Sequence, residues 1–226
     1  VRHFLPALCI FVTVPAGIAA EPPKIIREDI EWLDVWVPGN STIGLPRVLL
    51  IGDSIARGYY QGVTDWLKGK AVVGRLATSN CLGDAALFDE VRLVLGQTRF
   101  DVVHVNNGLH GWGYSEDVYA KALPGLVAVI RKEAPHAKLV WATTTPVRQP
   151  DKLDMVSPRT DRVIARNKLA ADVMEKEKVT TDDLFALVKD YPEWYANDGT
   201  HFNPKGTDAQ ADQVAKVVAE LLPTGR

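Results

Sequence analysis

Ser54 lies in the run Ile51-Gly52-Asp53-Ser54-Ile55, where four apolar residues, 48–51, give way to a glycine and two short polar side chains. A serine placed where a buried strand turns into a helix has its hydroxyl presented at a sheet edge. Backbone N–H groups at the helix start then favour negative charge beside it. The same residues could do no more than cap a helix, a common role for Asp and Ser. Far downstream stand Asp198-Gly199-Thr200-His201, followed by Phe202-Asn203-Pro204. A serine hydroxyl is a weak nucleophile at neutral pH and needs a base within hydrogen-bond reach. Histidine suits that role, and a carboxylate on its other ring nitrogen fixes the tautomer and steadies the imidazolium. The offset from Asp198 to His201 lets one tight loop deliver both groups, although Asn-Asp-Gly is strong turn chemistry in its own right. With Ser54 upstream, the three residues read as an acyl-transfer set.

The elements that must position these residues alternate. Strands are expected at 48–51, 71–76, 102–105 and 138–142, with a weaker fifth at 179–181. Helices are expected from 54 to about 68, then over 87–95, 115–134, 159–178 and 204–222, with Ser115 an N-cap and Pro204 in a first turn. Residues 22–46 read as a polar lead-in, and 143–158 as a long loop. Apolar strands alternating with amphipathic helices imply an α/β fold with a mainly parallel sheet covered on both faces. Active sites of such folds gather at the carboxyl ends of the strands, where Ser54, the loop 106–114 and the Asp198–His201 segment all fall.

Gly-Asp-Ser after the first strand and Asp-x-x-His before the last helix resemble the SGNH (GDSL-like) hydrolase family, over about 46–222 of the chain. The resemblance implies a flavodoxin-like three-layer α/β/α sandwich with a five-stranded, mainly parallel sheet. It implies Ser54 as nucleophile, His201 as base and Asp198 as its orienting partner. It also implies that Gly83 and Ser54 lend backbone N–H groups to an oxyanion hole. The family's Gly-x-Asn-Asp is replaced here by Gly108-Leu109-His110-Gly111. His110 stands where the donor asparagine is expected, and Asn107 just before the glycine is the second candidate. A ring N–H can serve an oxyanion as an amide can. His110 as a plain loop histidine stays open.

Composition limits the rest. At 226 residues and 46% hydrophobic, the chain can bury one substantial core, which fits a single hydrolase domain over 47–226. A net charge of −2 with no basic run gives no electrostatic case for nucleic acid. The five histidines are scattered and no Cys/His cluster or phosphate-binding glycine loop is evident, so neither metal nor cofactor is expected. Arg2 and His3 precede an apolar run from 4 to 20 that ends in small residues, the pattern of a secretory leader over 1–20. Its two prolines and short length argue against a membrane span. The expected product is exported, periplasmic or extracellular, with no stable membrane insertion after cleavage. Cys81 is then the single cysteine beyond the leader, and reads as a space-filling residue.

His104, on a buried strand, reads as a core histidine. Trp112, Tyr114, Trp194 and Tyr195 flank the proposed loops, where aromatic faces would suit a sugar ring or an acyl chain as well as core packing. Export and these aromatics point to removal of short, acetyl-like groups from a carbohydrate. A lipid or general esterase, or a thioesterase, is the alternative within the family. A non-catalytic binding protein on a hydrolase scaffold is the alternative of another class.

Overall fold

A computed structural model describes residues 24–39 and 44–223. The proposed leader, 1–20, lies outside the described residues. The chain forms β1 (Leu33–Trp36), β2 (Arg47–Gly52), α1 (Ser54–Trp66), β3 (Val72–Thr78), α2 (Ala85–Leu95), β4 (Val102–Val105) and α3 (Glu116–Glu133). Then follow β5 (Lys138–Ala142), β6 (Arg148–Gln149), β7 (Lys152–Val156), α4 (Arg159–Lys176), β8 (Thr180–Asp182), α5 (Leu184–Val188) and α6 (Pro204–Leu221).

β2 is the spine of the sheet. Val48, Leu49, Leu50 and Ile51 are all buried, and successive side chains point to opposite faces. Val48 and Leu50 meet Tyr59 and Val63 of α1 and Val214 and Val218 of α6. Leu49 and Ile51 meet Leu87 of α2 and Leu123 and Leu126 of α3. Both layers therefore follow from one unbroken apolar run, which is why such a strand needs helices on both sides.

Among the described residues the sheet has six strands in the order β1-β3-β2-β4-β5-β8, one more than the five expected. The five expected strands are parallel; β1 is added antiparallel to β3 at the edge, pairing Leu33 with Thr78 and Trp36 with Arg75. β1 comes from the lead-in, which is thus part of the sheet. It is tied down by Arg75 on Asp34 at 2.9 Å, by Trp32 N donating to Ser79 Oγ at 2.9 Å, and by Ser79 Oγ donating to Glu31 at 2.6 Å. The long loop contains a second departure, the antiparallel hairpin β6–β7.

From β2 the chain crosses to β3 on one side and then returns to β4 on the other. This reversal opens a crevice at the carboxyl ends of β2 and β4, where α/β folds place their ligands. Deeper in the sheet, His104 Nε2 meets Asp182 Oδ2 at 3.0 Å with both side chains sealed from solvent, and Gln213 donates to Asp182 Oδ1 at 2.7 Å. His104 is a core histidine with its own carboxylate. No helix of the described residues is long and apolar enough to cross a membrane.

Candidate active site

Ser54 is the first residue of α1, directly after β2. Asp53 is its N-cap, with Oδ1 accepting from Ile55 N at 2.9 Å and its carbonyl from Arg57 N at 3.0 Å. The N–H of Ser54 belongs to the first turn, whose N–H groups have no intrahelical acceptor. The serine hydroxyl and a backbone donor are therefore fixed together by one capped helix start. Asp53 itself is buried, and that desolvation holds its carboxyl above the usual carboxylate range despite the Ile55 N–H bonded to it.

The loop between the 3₁₀ turn Pro192–Trp194 and α6 carries Asp198 and His201. It is closed by a bridge between Tyr195 and Phe202 and by Ala196 N donating to the His201 carbonyl at 2.8 Å. Hairpin β6–β7 braces it from outside: Arg148 N donates to Gly199 O at 2.7 Å, and Asp151 N to Asn197 O at 2.9 Å. Gly199 has φ +71, and a Cβ there would lie 2.3 Å from the Arg148 carbonyl oxygen. Only glycine fits both the left-handed backbone and the close approach. Asn203 caps α6 through Gly206 N at 3.2 Å, and Pro204 takes the first helical position.

These anchors produce a continuous hydrogen-bonded chain. Asp198 Oδ2 lies 2.7 Å from His201 Nδ1, and His201 Nε2 lies 2.8 Å from Ser54 Oγ. Asp198 Oδ1 accepts from the N–H groups of Thr200 at 2.8 Å and His201 at 2.9 Å. Partial burial raises the Asp198 carboxyl. The bond to the His201 ring and the two backbone N–H groups outweigh that and hold it below the usual carboxylate range. An ionised Asp198 keeps the proton on Nδ1 and leaves Nε2 free to take one from Ser54.

Ser54 and His201 open onto a cleft of about 670 Å³. Trp32, His110, Trp112 and Arg159 share its wall. The loop that carries His110 and Trp112 is held by a buried guanidinium. Arg166 of α4 donates to the carbonyls of Gly108 at 2.9 Å, His110 at 2.8 Å and Gly111 at 3.1 Å. Gly111 has φ +70 with its Cα against Cys81, so that a Cβ would come within 2.3 Å of the sulfur. Cys81 is buried against this turn, the packing role expected of it.

The other expected site residues separate into two groups. His110 and Trp112 reach the cleft. Asn107 does not line it: its Oδ1 accepts from Leu82 N at 3.2 Å and its Nδ2 donates to Asn80 O at 3.1 Å, tying down the loop after β3. Gly83 lies on that loop with the Tyr114 ring against it, where a Cβ would come within 2.4 Å. Tyr114 is buried and its hydroxyl accepts from Ile26 N at 2.7 Å. Trp194 stacks on Tyr191 with centroids 3.9 Å apart, and Tyr195 is buried with its hydroxyl donating to Pro146 O at 3.1 Å. Tyr114 and Tyr195 are packing residues, and half-buried Trp194 stands outside the lining of the cleft. The cleft's second tryptophan is Trp32, from the lead-in, which nothing in its own neighbourhood of sequence singled out.

A mainly parallel sheet with a Ser–His–Asp hydrogen-bond chain at its switch point is the build of an acylhydrolase. The chain belongs to the GDSL-like Lipase/Acylhydrolase family, whose model matches residues 50–209. It is thus an ester hydrolase of the SGNH type. Solved structures share the fold. A lipase/acylhydrolase from Enterococcus faecalis is 16% identical with a TM-score of 0.66, covering 80% of this chain and 100% of that one. A carbohydrate esterase family 3 protein from Talaromyces cellulolyticus is 15% identical with a TM-score of 0.64, covering 78% and 98%. An acetyl xylan esterase is 20% identical with a TM-score of 0.60, covering 76% and 99%. No curated protein matches the sequence.

Proposed function

We propose that the protein is a serine esterase that removes short, acetyl-like acyl groups from a carbohydrate through an acyl-enzyme. Its principal support is the unbroken chain from Asp198 through His201 to Ser54 Oγ, which lines the cleft. Ser54 attacks the ester carbonyl as His201 Nε2 takes its proton. The carbonyl oxygen becomes an oxyanion, held by the Ser54 and Gly83 N–H groups and by His110. Collapse expels the alcohol, which leaves with the proton from His201. Water then attacks the acyl-enzyme by the same route, with His201 again as base, and releases the acid. An intact nucleophile and base argue against a purely binding role.

The substrate reading rests on the walls of the cleft. Trp32 and Trp112 line the cleft, and indole rings in such a wall suit contact with a sugar ring. Arg57 stands over Trp32 at 4.9 Å and Arg159 over Trp112 at 5.4 Å, which steadies both rings. Two fold neighbours are named as a carbohydrate esterase and an acetyl xylan esterase. Nitrophenyl esters of rising acyl length, beside acetylated xylo-oligosaccharides, test this. The expected result is highest kcat/KM for acetate and acetate release from the oligosaccharide. Preference for long acyl chains or acyl thioesters, without release from sugars, would replace it with the lipid esterase or thioesterase reading.

The proposal includes export. Its support is the basic start, the apolar run and the small-residue exit near Ala19 and Ala20. N-terminal sequencing of protein from the culture medium or periplasm is expected to find a start near Glu21. Full-length protein retained in the membrane would overturn it.

A further inference from the structure

Two imidazoles face the cleft, and both give Nδ1 to a carboxylate. His201 Nδ1 lies 2.7 Å from Asp198 Oδ2, and His110 Nδ1 lies 2.8 Å from Glu28 Oε2. A carboxylate beside Nδ1 holds the proton there, so a neutral ring has its lone pair at Nε2. For His201 that is the requirement of a base, with Ser54 Oγ 2.8 Å away. For His110 it raises a conflict. Its Nε2 has no hydrogen-bond partner among the described residues, and its ring lines the same cleft as Ser54. A lone pair there would repel the oxyanion that the proposed function has this ring stabilise.

We propose that His110 acts as an imidazolium, protonated on both nitrogens, and that Glu28 is the positioning residue that aims it and keeps it charged. This rests on the reading of Ser54 as nucleophile. Nδ1–H donates to Glu28, and Nε2–H donates to the carbonyl oxygen as negative charge grows on it. A charged donor strengthens as the oxyanion forms, which is the differential that lowers a barrier.

Glu28 is built to hold this pose. Its Oε1 accepts from Gly111 N at 2.9 Å, so one carboxylate grips both the ring and the next backbone N–H. Its own N–H donates to Glu31 Oε1 at 2.8 Å. The edge of Trp32 meets the ring, with centroids 6.2 Å apart and planes at 74°. The charges facing His110 come from every side. From the β2–α1 turn comes Asp53, buried, with Oδ2 lacking a hydrogen-bond partner among the described residues. Arg166 of α4, itself paired with Glu116 at 3.4 Å, bonds the His110 carbonyl rather than the ring. Asp29, Arg159 and His201 line the same cleft. Burial drives the Asp53 carboxyl up.

The two histidines must then be in opposite states, and activity should fall on both sides of an optimum. The acid limb belongs to His201 gaining a proton, the alkaline limb to His110 losing one. Glu28→Gln retains an oxygen for Gly111 N–H but removes the charge. It is expected to lower kcat about 10- to 100-fold with little change in KM. The alkaline limb should move to lower pH while the acid limb stays. His110→Asn should keep part of the activity and lose the alkaline limb, and adding Glu28→Gln to it should cost little more. Nitrogen-15 NMR of histidine-labelled wild-type protein reads the state directly, with His110 assigned by its loss in His110→Asn. Both His110 nitrogens are expected to be protonated at the pH optimum. An Nε2 lone pair there, or a Glu28→Gln enzyme with the wild-type pH profile, would overturn the proposal. Should Glu28→Gln not fold, the wild-type spectrum decides alone. Activity surviving in Ser54→Ala would instead sink the nucleophile reading, so the two failures are distinguishable.

Discussion

Ser54→Ala is expected to remove ester hydrolysis almost entirely, by on the order of 10⁵-fold or more in kcat, because nucleophile and base act as one unit. The fold should survive. Ser54 contributes a hydroxyl to the cleft, whereas the cap of α1 is Asp53 and the strand before it is packed on both faces. Alanine suits a helix start about as well as serine once another residue provides the cap. Thermal melts of the two proteins should nearly coincide. A fluorophosphonate probe, which needs an activated serine, should label wild-type protein at Ser54 and leave the variant unlabelled. Labelling at another serine, or turnover in the variant near that of wild type, would require a different nucleophile.

What could be read from sequence was what is local. Four consecutive apolar residues at 48–51 dictate a strand buried on both faces, and the glycine and capping aspartate after it dictate where the helix starts. Asp198 and His201 share one short loop, so their contact follows from backbone geometry over three residues. Whatever depends on distant chain was hidden. β1 is four residues long with Leu33 and Trp36 exposed, and it becomes a strand through ladder bonds to β3 and through Ser79, 47 residues on. Glu28 meets His110 across 82 residues, and a glutamate in a polar stretch carries no local sign of that. Hairpin β6–β7 is mostly exposed and has little hydrophobic pattern to reveal it, yet it braces the loop of Asp198.

The aromatic residues make the same point through direction. Trp112, Tyr114, Trp194 and Tyr195 all lie near the site along the chain, but proximity in sequence does not fix where a ring points. Tyr114 fills the space over Gly83, and Tyr195 turns inward onto Phe202 at 4.4 Å. Trp112 alone of the four lines the cleft, and its counterpart arrives from residue 32, carried there by the edge strand. The lead-in therefore supplies both an aromatic wall of the cleft and the carboxylate on His110. Variation in residues 28–32 is a route to altering the site without touching Ser54 or His201.

His201→Ala should cost nearly as much as Ser54→Ala, again on the order of 10⁵-fold, since a serine without its base keeps its proton. Asp198→Asn should cost less, about 10³- to 10⁴-fold. An amide can still meet Nδ1, but it does not favour the Nδ1–H tautomer and does not offset the charge of the imidazolium. About half of the Asp198 side chain is exposed (52%), so water takes over part of that stabilisation, which places the loss at the lower end of the range. The pH dependence follows with its sign. Asp198 is held below the ordinary carboxylate range by its bonds to His201 and to the Thr200 and His201 N–H groups. It therefore stays ionised to lower pH than an ordinary carboxylate as acid is added. A protonated His201 cannot accept from Ser54, so kcat/KM should fall on the acid side as one proton binds, with a slope of one. In Asp198→Asn the imidazolium loses its carboxylate, and the acid limb should move to lower pH even as the maximum rate collapses. Steady-state rates across pH for the three proteins, with single-turnover measurements to establish that chemistry limits, check this. An acid limb that does not move in Asp198→Asn would mean that the limb reports a group other than His201, and the base would have to be sought elsewhere in the cleft.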